Sequence, residues 1–246
     1  MHQYLEIGNK IFIPMYNLLI GIGAILGFLY LEKEIKKFKV DFRTDRNIYL
    51  SLIVSIGLGF VGAKLFELLY HGYELSFHTF FTGGITFMGG FTMGAICFLI
   101  TNALFKTSNQ LAFNLLIPFI IITHFFGRIG CFLAGCCYGK PTGLMFGVIY
   151  PDSSLPSLHL GCNTHLHPTQ LYEALFLLLL FVVVVKMNRL ELRTPVYLIS
   201  YGFFRFFIEF LRGDDRGQLL TDILTPSQLL SIIFLLIGLL IKCRQR

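Results

Sequence analysis

Residues 111–133 read LAFNLLIPFIIITHFFGRIGCFL, and the nature of this stretch decides the fold. It carries one full charge, Arg128, and one imidazole, His124. A helix crossing about 30 Å of hydrocarbon needs roughly 20 mainly apolar residues, so the stretch reads as a membrane span. Six others resemble it, at about 11–31, 50–70, 84–104, 170–186, 194–211 and 224–241. Backbone groups in lipid must be satisfied within the segment, which makes such spans helical. Barrel strands would run to about 10 residues with strict alternation, a pattern that the sequence lacks. The whole composition agrees: of 246 residues, 55% are apolar and only 14% charged, against about 25% charged in a soluble domain. Disorder, a collagenous chain and a disulfide-stapled mini-domain are excluded.

Orientation follows from Lys and Arg. Lys33, Lys36, Lys37, Lys39, Arg43, Arg46, Lys106, Lys186, Arg189, Arg193, Lys242, Arg244 and Arg246 fall on one side of a seven-span chain. Only Lys10, Lys140, Arg212 and Arg216 fall on the other. The positive-inside rule then places the N-terminus outside and the C-terminus in the cytoplasm. The expected fold is all-α, a polytopic membrane protein of seven transmembrane helices forming one domain over residues 1–246. Residues at about 137–168, with Pro141, Pro151, Pro156 and Pro168, read as a structured outer segment. No cleavable signal peptide is visible. The net charge of +6 is a topology signal, and no nucleic-acid partner is expected.

Ionisable groups inside spans are expensive and point to function. Lys64, Glu67, His124, Arg128, Arg205 and Glu209 qualify, with Glu173 nearer a span end. His124 and Arg128 share a helix face at i,i+4, as do Arg205 and Glu209, while Lys64 and Glu67 are i,i+3. Each set reads either as a buried ion pair between helices or as part of an electropositive cavity for an anionic headgroup, since a guanidinium binds phosphate through a planar fork. Gly83, Gly84, Gly89, Gly90 and Gly94 suit close helix packing or a broken helix; Gly21, Gly23 and Gly27 suit packing. Cys131, Cys136 and Cys137 follow a C-x4-C-C pattern, which is not a zinc spacing, so no metal is expected. Cys136 or Cys137 could instead bridge to Cys162.

Residues 127–139, Gly-Arg-Ile-Gly-Cys-Phe-Leu-Ala-Gly-Cys-Cys-Tyr-Gly, resemble the signature of the prolipoprotein diacylglyceryl transferase family, Gly-Arg-x-Gly-Asn-Phe-x-Asn-Gly-Glu-x-x-Gly. Gly62-Ala63-Lys64, the glycine-rich block 83–90, the run from His167 through Pro168, Thr169, Gln170, Leu171 and Tyr172 to Glu173, and Arg205-Phe206-Phe207-Ile208-Glu209-Phe210 agree in order. The departures are Met88 for a His, Cys131 and Ala134 for the two Asn, Cys136 for the Glu, and Lys64 for the usual Arg. They suggest a Cys-bearing branch of the family.

The resemblance implies transfer of diacylglyceryl from phosphatidylglycerol to the thiol of a lipobox cysteine in a preprolipoprotein signal-peptide region. A thioether forms and glycerol 1-phosphate leaves, in a bacterial cytoplasmic (inner) membrane and without a cofactor. Arg128, Arg205, Glu209 and His167 are the expected catalytic residues, with His124 the alternative base. Arg128, Lys64, Gly139, Tyr172, Glu173, Cys131 and Cys136 are the expected substrate-binding residues. Competing readings are a paralogue that lipidates another acceptor and a non-catalytic anionic-lipid-binding protein.

Overall fold

The computed structural model describes residues 4–7, 11–71, 76–82, 86–214 and 224–245. Nine helices carry them: α1 (Met15–Lys37), α2 (Phe42–His71), α3 (Phe77–Thr82), α4 (Phe87–Leu104), α5 (Asn109–Ala134), α6 (Leu155–Leu160), α7 (Thr169–Lys186), α8 (Arg193–Ile208) and α9 (Pro226–Arg244). Helices α1, α2, α5, α7 and α9 are long and apolar enough to cross a membrane. The expected spans at 84–104 and 194–211 correspond to shorter helices. Helix α8 has 16 residues, about 24 Å at 1.5 Å per residue. Tight 3-10 turns, Leu190–Leu192 and Glu209–Leu211, adjoin its two ends.

The described residues are helical as expected, with one short addition at the N-terminus. Strands β1 (Tyr4–Ile7) and β2 (Ile11–Pro14) form an antiparallel hairpin, pairing Tyr4 with Pro14 and Ile7 with Ile11. Residues 11–14, read from hydropathy as the start of a span, are therefore extended. Apolar content alone does not separate strand from helix in so short a run. The first helix opens just after Pro14, whose missing N–H disqualifies it from a helix interior.

The chain forms two compact units, Met1–Glu34 with Asn114–Arg246, and Ile35–Phe113. In the first, Ile117, Ile121, Leu177, Leu180, Val184, Tyr197 and Tyr201 make a core between α5, α7 and α8. Glycines set the closest approaches. A Cβ on Gly23 would lie 2.8 Å from Phe126, one on Gly27 would lie 2.7 Å from Phe119, and one on Gly202 would lie 2.8 Å from the Ser231 carbonyl. Gly21, expected on the same packing face, has open space beside it. Polar ties complete the unit: Asn114 Oδ1 accepts from the Thr194 amide (2.9 Å) and hydroxyl (2.7 Å), and Arg193 pairs with Glu34, both fully buried.

In the second unit α2 packs on α4 through the glycines read as a packing face. Cβ atoms on Gly62 and Gly89 would meet Met93 at 2.4 Å and Phe66 at 2.3 Å. The Thr86 hydroxyl, at the start of α4, donates to the Glu67 carboxylate, and Lys64 is buried on the same helix as Glu67. Gly83 and Gly84, and the side chain of Met88, lie outside the described residues.

Residues 137–168 are ordered by pairing rather than by a long helix. Val148 and Leu166 exchange backbone hydrogen bonds of 2.9 and 3.0 Å, and Tyr138, Tyr150 and Leu166 form a small core with Phe132 beside it. The segment also presents an apolar crest, with Leu144, Phe146, Ile149 and Leu158 exposed and Met145 95% exposed.

Candidate functional site

The site is built where α5 ends, α7 begins and α8 passes between them. His124 and Arg128 sit one turn apart on α5, and Arg128 Nε donates to His124 Nε2 at 3.2 Å. The same Nε2 lies 3.4 Å from Glu173 Oε1, so the imidazole sits between the guanidinium and the carboxylate. Glu173, one turn into α7, has a side chain with no exposure and takes Arg128 Nη2 at 2.9 Å on Oε1. The Tyr201 hydroxyl donates to the same oxygen at 2.7 Å. Oε2 has no hydrogen-bond partner among the described residues. Glu173, expected near a span end, thus stands at the centre of the cluster.

Arg205, one turn beyond Tyr201, pairs with Glu209 at 2.8 Å and donates to Ser227 Oγ at 3.0 Å. Glu209 in turn accepts from Thr225 at 2.9 Å. Thr225 is also the N-cap of α9, closing a capping box with Gln228. Arg205 interacts electrostatically with both Glu173 and His124, so Arg128 and Arg205 both act on one carboxylate.

The run from His167 to Glu173 clamps the end of α5. Thr169 Oγ1 donates to the Cys137 carbonyl (2.8 Å) and Gln170 Nε2 to the Cys136 carbonyl (2.6 Å). His167 Nδ1 lies 3.2 Å from the Tyr172 hydroxyl. Gly139 passes between this run and the residues after α8. Its amide donates to the His167 carbonyl at 2.9 Å, and an added Cβ would come within 2.5 Å of His167 and 2.8 Å of the Leu211 carbonyl. Only glycine fits there.

Helix α5 stops in a Schellman motif. Gly135 takes φ +71°, its amide donates to the Phe132 carbonyl and that of Cys136 to the Cys131 carbonyl. That motif brings the side chains five residues apart into contact, here Cys131 and Cys136. Cys137 follows at φ +64°, and the three sulphurs lie within 4.8 Å of one another. All six cysteines are free thiols, so the expected bridge to Cys162 does not form; Cys162 is exposed and hydrogen-bonded to Asp152. Arg212 is buried, holds Asp214 through two bonds of 2.8 and 2.7 Å, and hydrogen-bonds Cys137. Hydrogen bonds from Cys131 and Cys136, with Arg212 and Arg128 nearby, hold the Cys137 thiol below its ordinary range against its burial.

Of the residues expected from sequence, the structure gathers Arg128, Glu173, Arg205 and Glu209 with His124, and His167 with Tyr172 and Gly139. Cys131 and Cys136 sit beside them with Cys137. Lys64 belongs to the other unit and is described there. Tyr201, Thr169, Gln170 and Arg212 were not singled out. Tyr201 had a legible signal, lying i,i+4 from Arg205 on one helix face. An apolar cavity of about 540 Å³ lies between α1, α5 and α7 in the same unit, lined by Leu26, Leu29, Ile121, Phe125, Leu177 and Phe181 among others, with Lys33 as its charged residue.

A family model described as prolipoprotein diacylglyceryl transferase matches residues 3–244. Proteins named phosphatidylglycerol–prolipoprotein diacylglyceryl transferase are similar along most of the chain. One from Clostridium tetani is 32% identical, covering 92% of this chain and 90% of its own length. One from Rickettsia rickettsii is 31% identical over 94% and 92%. A Clostridium perfringens protein, named as the second such transferase, is 30% identical over 95% and 91%. On the matched length and the shared motifs together, the chain belongs to the prolipoprotein diacylglyceryl transferase family.

Proposed function

We propose that this protein transfers the diacylglyceryl group of phosphatidylglycerol to a lipobox cysteine thiol of a preprolipoprotein. The observation that carries this reading is the pair of arginines, partly buried Arg128 and buried Arg205, each oriented by its own carboxylate and both acting on Glu173. Such preorganised donors suit a phosphate whose charge grows as it leaves. Arg205 Nη1 is buried without a hydrogen-bond partner among the described residues, which leaves a donor for a phosphate oxygen. The apolar cavity suits an acyl chain.

In the step itself the cysteine sulphur bonds to the glyceryl carbon that carries the phosphate ester, and that carbon–oxygen bond breaks. The electron pair leaves on glycerol 1-phosphate. The thiol proton passes to a base, for which His167 Nε2 is available when Nδ1–H donates to the Tyr172 oxygen. His124 Nε2 is already engaged between Arg128 and Glu173, which makes His124 a positioning residue. Glu209 and Ser227 orient Arg205, and Cys131 and Cys136 complete the substrate-binding surface. The chain does this as one domain of seven spans in the bacterial inner membrane, with α4 and α8 as the two shorter spans, the N-terminus outside and the C-terminus in the cytoplasm.

The test is incubation of the purified protein with phosphatidylglycerol and a lipobox peptide, read by mass spectrometry. A diacylglyceryl thioether that disappears in Arg128→Ala supports the reading. Bound lipid without product indicates another acceptor or a binding protein and overturns it.

A further inference from the structure

The cysteines of the signature region do something that their spacing conceals. A C-x4-C-C pattern lacks the two-residue gap of zinc knuckles, yet the Schellman turn at Gly135 folds Cys136 back over Cys131, and the left-handed backbone at Cys137 turns the third thiol to the same side. We infer that Cys131, Cys136 and Cys137 form a three-sulphur site for a thiophilic d10 metal ion, zinc(II) or copper(I).

Four observations carry this. The three Sγ atoms lie within 4.8 Å of one another. Sulphurs at about 2.3 Å from an ion would stand about 4.0 Å apart in a plane and about 3.8 Å apart at three corners of a tetrahedron, so a contraction of about an ångström completes the site. The backbones of two of the three ligands are pinned by α7, with Gln170 on the Cys136 carbonyl and Thr169 on that of Cys137, the kind of outer support that fixes ligand orientation. Three thiolates around a monovalent or divalent ion leave negative charge, and Arg212 and Arg128 both act electrostatically on Cys137. Finally, Cys131 is buried and the other two are partly so, which slows competing water. Thiolate sulphur selects soft ions over magnesium or calcium. Cys131 and Cys136 also belong to the proposed substrate-binding surface, but the metal assignment does not rest on that reading, and the site would staple the end of α5 to the segment that carries Gly139.

The test uses the full-length protein in detergent, reduced and stripped with a chelator, then exposed in separate arms to zinc(II) or copper(I) alone. Bound metal is measured by plasma mass spectrometry after desalting, and free thiols are counted with a chromogenic disulfide. The expected result is about one equivalent of one ion or the other, with three of the six thiols protected. Cys137→Ser and Cys131→Ser should each weaken retention about tenfold or more, while Cys97→Ser, Cys162→Ser and Cys243→Ser leave it unchanged. Thiol protection in the unsubstituted protein needs no variant to fold. Failure to retain either ion, or equal retention across all the variants, overturns the assignment. So does a disulfide within the cluster in freshly isolated, unreduced protein, which would make it a redox pair instead.

Discussion

Glu173 concentrates the logic of the site in one atom. Its Oε1 takes Arg128 and Tyr201, and no part of its side chain meets solvent. Removing one member of a buried charge pair costs about 3–5 kcal/mol, whereas losing one hydrogen bond to a charged group costs about 1.5–3 kcal/mol. Glu173→Ala should therefore lower the thermal midpoint well below that of Tyr201→Phe, with headgroup binding falling in both. Equal midpoints would show that Arg128 finds its counter-charge elsewhere. Thiol chemistry gives a second residue-scale prediction. In Cys136 the bond from Cys131 favours the thiolate, but the bond to Cys137, burial and the charge on Cys137 outweigh it and push the thiol up to about 11. A raised value keeps Cys136 protonated at neutral pH, and a lowered one favours the thiolate at Cys137. In metal-free protein at pH 7, iodoacetamide should label Cys137 before Cys136, with Cys136 catching up as pH rises toward 11; peptide mapping reads the order. Arg128, Arg205 and Glu209 were legible in sequence because a charge in a long apolar run is conspicuous. Arg212 was not, because beyond a span end it looks like any topology-setting cation until Asp214 and Cys137 are seen around it.

At the scale of elements, the C-terminus of α5 decides where the cysteines go. Gly135 sits at φ +71° with nothing closer than 3.5 Å to an added Cβ, so a substitution there meets backbone cost rather than a clash. A non-glycine residue in that region costs about 1–2 kcal/mol, least for Asn. Gly135→Ala should lower the thermal midpoint and slow the thiols' joint protection by metal, and Gly135→Asn should do so less. Identical behaviour of the two would place the turn's stability elsewhere. The long helices α1, α2, α5, α7 and α9 were plain from hydropathy alone. The N-terminal hairpin and the pairing within 137–168 were not, since both depend on which distant backbone a short run meets. The Schellman turn lay between: glycine after a helical run announces a cap, but not what the cap brings together.

For the whole molecule, orientation is the open expectation, and two native thiols report on it. Cys162 and Cys243 are both exposed, and the proposed topology puts them on opposite sides. A membrane-impermeant maleimide added to intact cells with opened outer membranes should label Cys162 and spare Cys243, and inside-out vesicles should give the reverse. Labelling of both from one side would refute the seven-span reading. The proposed topology rests on the basic residues, because their distribution is set by insertion energetics rather than by packing.

The crest of exposed apolar side chains around Met145 carries a consequence for encounter. Leu144, Met145, Phe146 and Leu158 are too apolar to face bulk water comfortably, and side chains of this kind settle at the boundary between headgroups and acyl chains. The crest belongs to the same segment as Gly139, which packs against His167 and Leu211. A polypeptide arriving from the aqueous side must first dissolve in the interface. Under the proposed transfer, partitioning into the interface, and not diffusion through water, governs how often an acceptor thiol meets the protein.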